Sequence, residues 1–384
     1  IVAAGSKGGE IWIARYLPSG ILDATFSDDG IFTGDLGTRG PIAYSIRFDS
    51  NGRIVVGGRA DPAGYNYDFM VARLWDDGTL DTTFGGGDGV AVNHFGGSGA
   101  SQWVDEIEVL ASGKILAAGT TSVSGSSYDF ALARYTATGS LDTTFNSSGL
   151  ATAAVTTSYD QAQGLVVLSD GTAIVGGGAN VGGGGYGRFA MAKFTTSGGL
   201  DATFGTSGIV LTDLPTDYDA GNAIARQADG KLLMAGSTAA PGSVYPNQDY
   251  EFALLRYSAT GTLDGGFASS GVARTGFGLA TSDIGTEVAV QADGRIVVAG
   301  TSAGRAGYIR YNSDGTLQVA DFGSSVGTSA NDLLIAPDGK VFLAGAMGSS
   351  NSYVERYEPR TFSFAAVTDF LDVLDSGFPT PTVP

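Results

Sequence analysis

The 384-residue sequence has no cysteine and a single histidine, His94. Without thiols there is no disulfide framework, no thiolate metal site and no cysteine nucleophile, and one imidazole does not make a zinc site. Lysine is scarce, five of the 21 basic residues, and glutamate numbers seven against 32 aspartates. Both are good helix formers, so little of the chain suits helix. No run of about 18 apolar residues occurs, so no membrane-spanning helix is expected. Positive charge is short as well. A net charge of −18 argues against nucleic acid or an anionic membrane as partner, since both require a basic footprint. The same balance suits a soluble secreted protein, a cationic partner or calcium. The chain opens in mid-repeat at Ile1 without Met or signal peptide, which reads as a processed or trimmed N-terminus.

Glycine, with 61 residues, is abundant and its placement is periodic. Seven short strands end in glycine: Ile1 to Gly5, Ile54 to Gly58, Ile115 to Gly119, Ala173 to Gly177, Leu232 to Gly236, Ile296 to Gly300 and Val341 to Gly345. Their closing glycines are 53, 61, 58, 59, 64 and 45 residues apart. The second unit shows the plan. Strand A (44–49) turns at Ser50-Asn51-Gly52 into strand B (53–58), a variable loop leads to strand C (69–75), and a long Asp-Gly turn precedes strand D (90–95). Short alternating strands bounded by Gly, Asp and Asn are the signature of an antiparallel meander. Four strands in roughly 60 residues, about seven times over, predict an all-β fold, a seven-bladed β-propeller of four-stranded antiparallel blades. A linear solenoid is the competitor, and it has no need of antiparallel Asp-Gly turns. The propeller is expected over 1–366, with the Pro-rich 367–384 as a tail or linker. Blade one lacks its first strand. Either that strand precedes Ile1, or the stretch 361–370 supplies it, or that stretch is strand D of the last blade.

Each strand C carries one basic residue: Arg15, Arg73, Arg134, Lys193, Arg256, Arg310 and Arg356. A Leu-Asp-x-x-Phe turn follows, with Asp23, Asp81, Asp142, Asp201 and Asp264, and a degenerate sixth copy starts at Leu317. A ring of cations for an anionic ligand is one reading. A repeated ion pair is favoured, because acid and base recur together and a guanidinium fork suits a carboxylate. The Asp also suits capping of its own turn, and the Phe anchors that turn in the core.

The combination F-x-[VL]-A-R-Y, D-G-x-L-D-x-x-F-G and G-[KR]-I-V-V-A-G resembles the delta-60 repeat, a bacterial β-propeller family of unknown function, over residues 1 to 360. The resemblance implies a propeller of secreted or surface-exposed bacterial proteins and carries over no activity, cofactor or catalytic residue.

Catalytic signatures are thin. His94 reads as an incidental polar residue of strand D, no triad motif surrounds it, and Gly182 to Gly185 is a loop tip with no helix behind it. The expectation is therefore a non-enzymatic binding or scaffold propeller, secreted or at the bacterial cell surface, that recognises a protein or polysaccharide partner through its variable loops. A polysaccharide hydrolase or lyase is the alternative, since 39 acids supply pairs by chance. A structural subunit of a surface layer or filament is another. Candidate binding residues are the loop aromatics Tyr65, Tyr67, Trp103, Tyr128, Tyr159, Tyr186, Tyr218, Tyr245 and Tyr250, with Asp160, Asp219 and Asp283. These three acids each stand eleven residues before the next Asp-Gly glycine, a spacing expected to ring the channel mouth. Oxygen-ligated calcium is the one cofactor the loop acids leave open, although no EF-hand-type loop is present.

Overall fold

The computed structural model describes residues 1–62, 66–95, 100–124, 127–181, 187–215, 218–242, 249–278, 282–323, 325–348 and 351–357. Among them are 26 strands in seven antiparallel sheets, the blades of a seven-bladed β-propeller, and no helix. Sheet one has β1 (Val2–Lys7), β2 (Glu10–Arg15) and β3 (Ile31–Gly34). Sheet two has β4 (Arg39–Phe48), β5 (Ile54–Asp61), β6 (Asp68–Leu74) and β7 (Val90–Asn93). Sheet three has β8 (Gln102–Val109), β9 (Ile115–Ser124), β10 (Ser127–Tyr135) and β11 (Leu150–Ala153). Sheet four has β12 (Asp160–Val167), β13 (Ala173–Asn180), β14 (Gly187–Phe194) and β15 (Ile209–Thr212). Sheet five has β16 (Asp219–Arg226), β17 (Leu232–Ala239), β18 (Tyr250–Tyr257) and β19 (Val272–Thr275). Sheet six has β20 (Ile284–Val290), β21 (Ile296–Ser302), β22 (Arg305–Tyr311) and β23 (Leu317–Phe322). Sheet seven has β24 (Thr328–Ile335), β25 (Val341–Met347) and β26 (Asn351–Tyr357). The chain divides into two compact units, Ile1–Ile224 and Ala225–Pro384.

In the first unit each core layer is shared by consecutive sheets, because an alternating strand buries one row of side chains on each side. Ile13, Phe26, Val56 and Met70 fill the layer of sheets one and two. Val55, Val71, Phe84 and Ile107 fill the next, and Leu116, Leu132, Phe145 and Val175 the one after. In the second unit Val297, Tyr308, Leu343 and Tyr357 form the same kind of layer between sheets six and seven.

The closing glycines of the second strands now have a physical cause. The first strand carries a β-bulge in sheets two, three, four, six and seven, between Ala43/Ser45, Val104/Glu106, Ala162/Gly164, Gly285/Glu287 and Ala330/Asp332. The bulge kinks that strand toward its partner. A Cβ on Gly58, Gly119, Gly177, Gly300 or Gly345 would collide with the carbonyl oxygen of Ile42, Trp103, Gln161, Ile284 or Ser329. Gly5 is the exception, with nothing within 4 Å of its Cβ position. Among the described residues no strand lies beyond β1, and the segment 361–370 considered for that place lies outside them.

The repeated Arg and Asp form a clip. Arg15–Asp23 (2.8 Å), Arg73–Asp81 (2.7 Å), Arg134–Asp142 (2.7 Å), Lys193–Asp201 (2.9 Å) and Arg256–Asp264 (2.9 Å) are ion pairs. The other Asp oxygen accepts the backbone N–H two residues on, at Thr25, Thr83, Thr144, Thr203 and Gly266. The guanidinium then reaches the next sheet, where Arg15 bonds the Asp76 carbonyl, Arg73 that of Ala137 (2.6 Å), Arg134 that of Thr196 (2.6 Å) and Arg256 that of Ser313 (2.5 Å). Phe26, Phe84, Phe145 and Phe267 each pack under the Arg of their own clip, 4.5 Å from Phe84 centroid to Arg73, and abut the next sheet's turn glycine, as Phe84 does Gly139.

Two departures from the expected pattern stand out. The segment 120–129, the counterpart in sheet three of the second repeat's variable loop, is largely ladder, since Thr120, Thr121 and Ser122 pair with Phe130, Asp129 and Tyr128. Its Thr and Ser residues extend the hairpin, Thr being a good strand former. In sheet six the degenerate sixth turn is itself the fourth strand, β23. Gln318 stands where the other copies have Asp, so the turn loses its carboxylate cap, while Leu-Gln-Val-Ala-Asp-Phe keeps strand alternation. Arg310 of β22 therefore lacks the clip, and its Nε and Nη2 are buried without a hydrogen-bond partner. Arg356 lies on β26.

Candidate functional site

The first unit gathers four of the expected aromatics. β10 and the residue before β12 meet through a parallel bridge, Tyr128 to Tyr159, and Gln102 N donates to Tyr67 O at 2.8 Å. These joints bring the start of each third strand to the start of the next sheet's first strand. Trp103, Tyr128 and Tyr159 form a continuous row, with ring centroids 5.7 Å and then 4.9 Å apart. Tyr67 lies beside it, stacked on Arg59 at 3.8 Å, with Tyr44 on the same guanidinium at 5.8 Å.

Asp105 stands between the two groups. It is the bulged residue of β8 and takes a hydrogen bond from the Trp103 side chain. Its Oδ2 is buried and has no hydrogen-bond partner. Burial pushes its carboxyl well above the usual range; the Trp103 bond opposes this, the neighbouring Glu106 charge adds to it, and Arg59 opposes it. Burial also raises the Tyr44 and Tyr159 hydroxyls, and the Asp105 charge adds to both shifts. Glu106 itself is held away by Ser45 Oγ at 2.8 Å and by Arg47 at 2.7 Å.

The three expected acids do not join this face. Asp160, Asp219 and Asp283 are 0%, 3% and 0% exposed. Asp160 accepts from Thr156 N (2.7 Å) and Thr156 Oγ1 (2.6 Å), Asp219 from Leu214 N (3.0 Å), and Asp283 from Phe277 N (2.9 Å) and Ser302 Oγ (2.6 Å). Their common spacing belongs to a loop cap, because a carboxylate that ties down backbone N–H groups must be buried beside them. The expectation that they ring a channel mouth is corrected accordingly. Tyr218 precedes one of these caps at φ 116°, a costly conformation for an aromatic residue. Tyr250 lies in the second unit at the start of β18. Tyr65, Tyr186 and Tyr245 lie outside the described residues.

His94 is exposed, yet it joins a hydrogen-bonded cluster that its sequence context does not suggest. Its Nδ1 lies 2.6 Å from Asp68 Oδ1 and 3.0 Å from Gln102 Nε2. Gln102 Oε1 in turn accepts from Phe95 N and Thr121 Oγ1. The cluster ties the end of β7 to the start of β8 and holds Trp103 in place by chain connection. Among the described residues no group of three or more acids and histidines is placed to hold a metal ion.

Sequence reasoning missed Tyr44, Arg59 and Asp105. A signal for two of them exists in the numbering. Tyr44 stands fourteen residues before Gly58, as Asp105 does before Gly119, and the bulged positions Gln163, Thr286 and Asn331 keep the same distance from their own glycines. A bulge re-aims one side chain per strand, and here that place carries a different residue in each sheet.

Five segments, 50–84, 110–145, 168–204, 227–267 and 291–317, match the family described as "Domain of unknown function (DUF5122) beta-propeller". Among curated proteins no relative matches the sequence. Solved structures of similar fold include the α-L-arabinofuranosidase Arb93A of Fusarium graminearum with an iminosugar inhibitor, 11% identical, covering 84% of this chain and 94% of that one, TM-score 0.53. The GH93 α-L-arabinofuranosidase of Fusarium graminearum with arabinobiose is 10% identical, covering 82% of this chain and 92% of that one, TM-score 0.51. The polysaccharide lyase Uly1 is 11% identical, covering 92% and 87%, TM-score 0.51. At such identities the likeness is one of fold, and the five matched segments are similar to repeats of a β-propeller family of unknown function.

Proposed function

We propose that the first unit binds a glycan across the Trp103–Tyr128–Tyr159 row, as a non-catalytic recognition module working at or outside the cell surface. The observation that carries this reading is the row itself: three consecutive aromatic rings at contact spacing, flanked by a carboxyl with an unfilled hydrogen bond. Aromatic faces stack on the apolar faces of sugar rings, and a few convergent polar groups orient the hydroxyls. Propellers of this fold include an arabinofuranosidase solved with arabinobiose and a polysaccharide lyase, which supports the reading at the level of fold alone.

A glycan array followed by titration calorimetry tests it, run with calcium and again with chelator. Trp103→Ala is expected to weaken binding about 30-fold, the effect of roughly 2 kcal/mol typical of a truncated aromatic anchor. An empty array, with a thermal melt showing the protein folded, refutes the reading. Cleavage of the bound glycan is a second reading, favoured by the burial that raises the Asp105 carboxyl. A general acid must carry its proton at working pH. Release of reducing ends, or of unsaturated products absorbing in the ultraviolet, would establish it over plain binding.

A further inference from the structure

Two polar atoms at the centre of the cluster have no hydrogen-bond partner: the donor Arg59 Nε and the acceptor Asp105 Oδ2. They do not satisfy each other, although their charges interact. Six of the eight arginines in the unit, Arg15, Arg47, Arg53, Arg73, Arg134 and Arg188, have a carboxylate oxygen at 2.6–2.8 Å, and Arg39, which has none, is exposed. Among the described residues Arg59 has none either, and its guanidinium instead lies 3.8 Å from the Tyr67 ring and 5.8 Å from that of Tyr44. Those rings, Tyr44 and Tyr67, are 46% and 37% exposed, so the guanidinium lies against side chains that face solvent.

A buried donor and a buried acceptor left unfilled in one cluster are complementary to a ligand offering one of each. The donor is a guanidinium, always charged, whose planar fork matches a carboxylate, and such charge-assisted bonds are about twice as strong as neutral ones. A neutral diol would leave that charge unmatched. We propose that Arg59 and Asp105 together recognise a uronic-acid residue of the glycan, Arg59 taking the sugar carboxylate and Asp105 the adjoining ring hydroxyl. This rests on the glycan-binding reading above. The overall charge of −18 repels acidic polymers at long range, so selectivity falls to this one contact and is sensitive to salt.

The test is calorimetry with oligogalacturonates and oligomannuronates, their carboxyl-reduced counterparts, and sulfated oligosaccharides of matched length. One uronate series is expected to bind at least tenfold more tightly than its reduced form, on the order of one charge-assisted hydrogen bond. Arg59→Gln is expected to abolish that ratio, and Arg59→Lys, which keeps charge without the fork, to retain part of it. Reduced sugars binding as tightly as the acids, or sulfated ones binding more tightly, overturns the inference while glycan binding stands. Binding to none of these, together with an empty array, removes the underlying reading as well. If Arg59→Gln fails to fold, the wild-type comparison of acid with reduced sugar still decides.

Discussion

Replacing Arg73 and Arg310 separately by methionine compares a matched buried cation with an unmatched one. Arg73 is 3% exposed and bonds Asp81 Oδ2 at 2.7 Å and the Ala137 carbonyl at 2.6 Å. Asp81 is fully buried, and burial raises its carboxyl, but bonds from Thr83 and then Arg73 bring the net shift below the ordinary value. Removing Arg73 leaves Asp81 with Thr83 and with Arg53 at 3.2 Å, so the acid is weakened without being stranded. Loss of one partner of a buried pair costs about 3–5 kcal/mol, and the surviving Arg53 contact places Arg73→Met at the lower end, roughly 3 kcal/mol. Arg310 is 1% exposed, with Nε and Nη2 unpartnered and its pKa lowered chiefly by burial. Methionine there fills similar volume and removes a buried charge that has no carboxylate hydrogen bond, so the expected change lies between about zero and 2 kcal/mol of added stability. Urea denaturation reads both. All three tryptophans, Trp12, Trp75 and Trp103, lie in Ile1–Ile224, so fluorescence follows that unit, while circular dichroism follows both. Transitions that do not coincide are fitted separately. The reasoning fails if Arg310→Met loses as much stability as Arg73→Met, or if Arg73→Met loses none.

Acid provides another check. The Asp201 carboxyl is lowered from 3.8 to about 2, first by the Lys193 hydrogen bond and then by Thr203. A depressed folded pKa contributes stability above the unfolded value that disappears as pH falls through the folded one. Stability is therefore expected to drop between about pH 4 and pH 2, with a shallower acid limb in Asp201→Asn; an unchanged limb contradicts the assignment. At the closing glycines, Gly119→Ala drives a Cβ into the Trp103 carbonyl, whereas the Cβ position of Gly5 is open. The first is expected to cost roughly 1–3 kcal/mol as overpacking does, the second close to nothing, and equal melting temperatures for the two variants would refute the bulge explanation.

The clip was legible in the sequence because its members recur together: a base on each third strand, an acid eight residues later, and a Phe three beyond that. Repetition exposes a short-range interaction of that kind, since both partners move with the repeat. The same logic misled for Asp160, Asp219 and Asp283, whose equal spacing records a buried loop cap and not a row of ligands. Tyr44, Arg59 and Asp105 escaped notice for the opposite reason. They occupy equivalent or neighbouring places in the repeat but differ from sheet to sheet, and nothing in the sequence says that the place is a bulge.

The sequence by itself determined the architecture, because period, alternation and Asp-Gly turns are local and act within one blade. It also determined where charge is neutralised in the first five blades. Only the tertiary structure decided which side chains meet across blades: the Trp103–Tyr128–Tyr159 row spans residues from two sheets, and the Arg59 charge acts on Asp105 across another pair. Such contacts depend on how one sheet's bulge sits against the next sheet's hairpin, a packing outcome that joins residues far apart in the chain. The closing glycine belongs to both levels. Its recurrence was written in the sequence, and its cause, a carbonyl pressed against it by the bulge, appeared only when the strands were laid side by side.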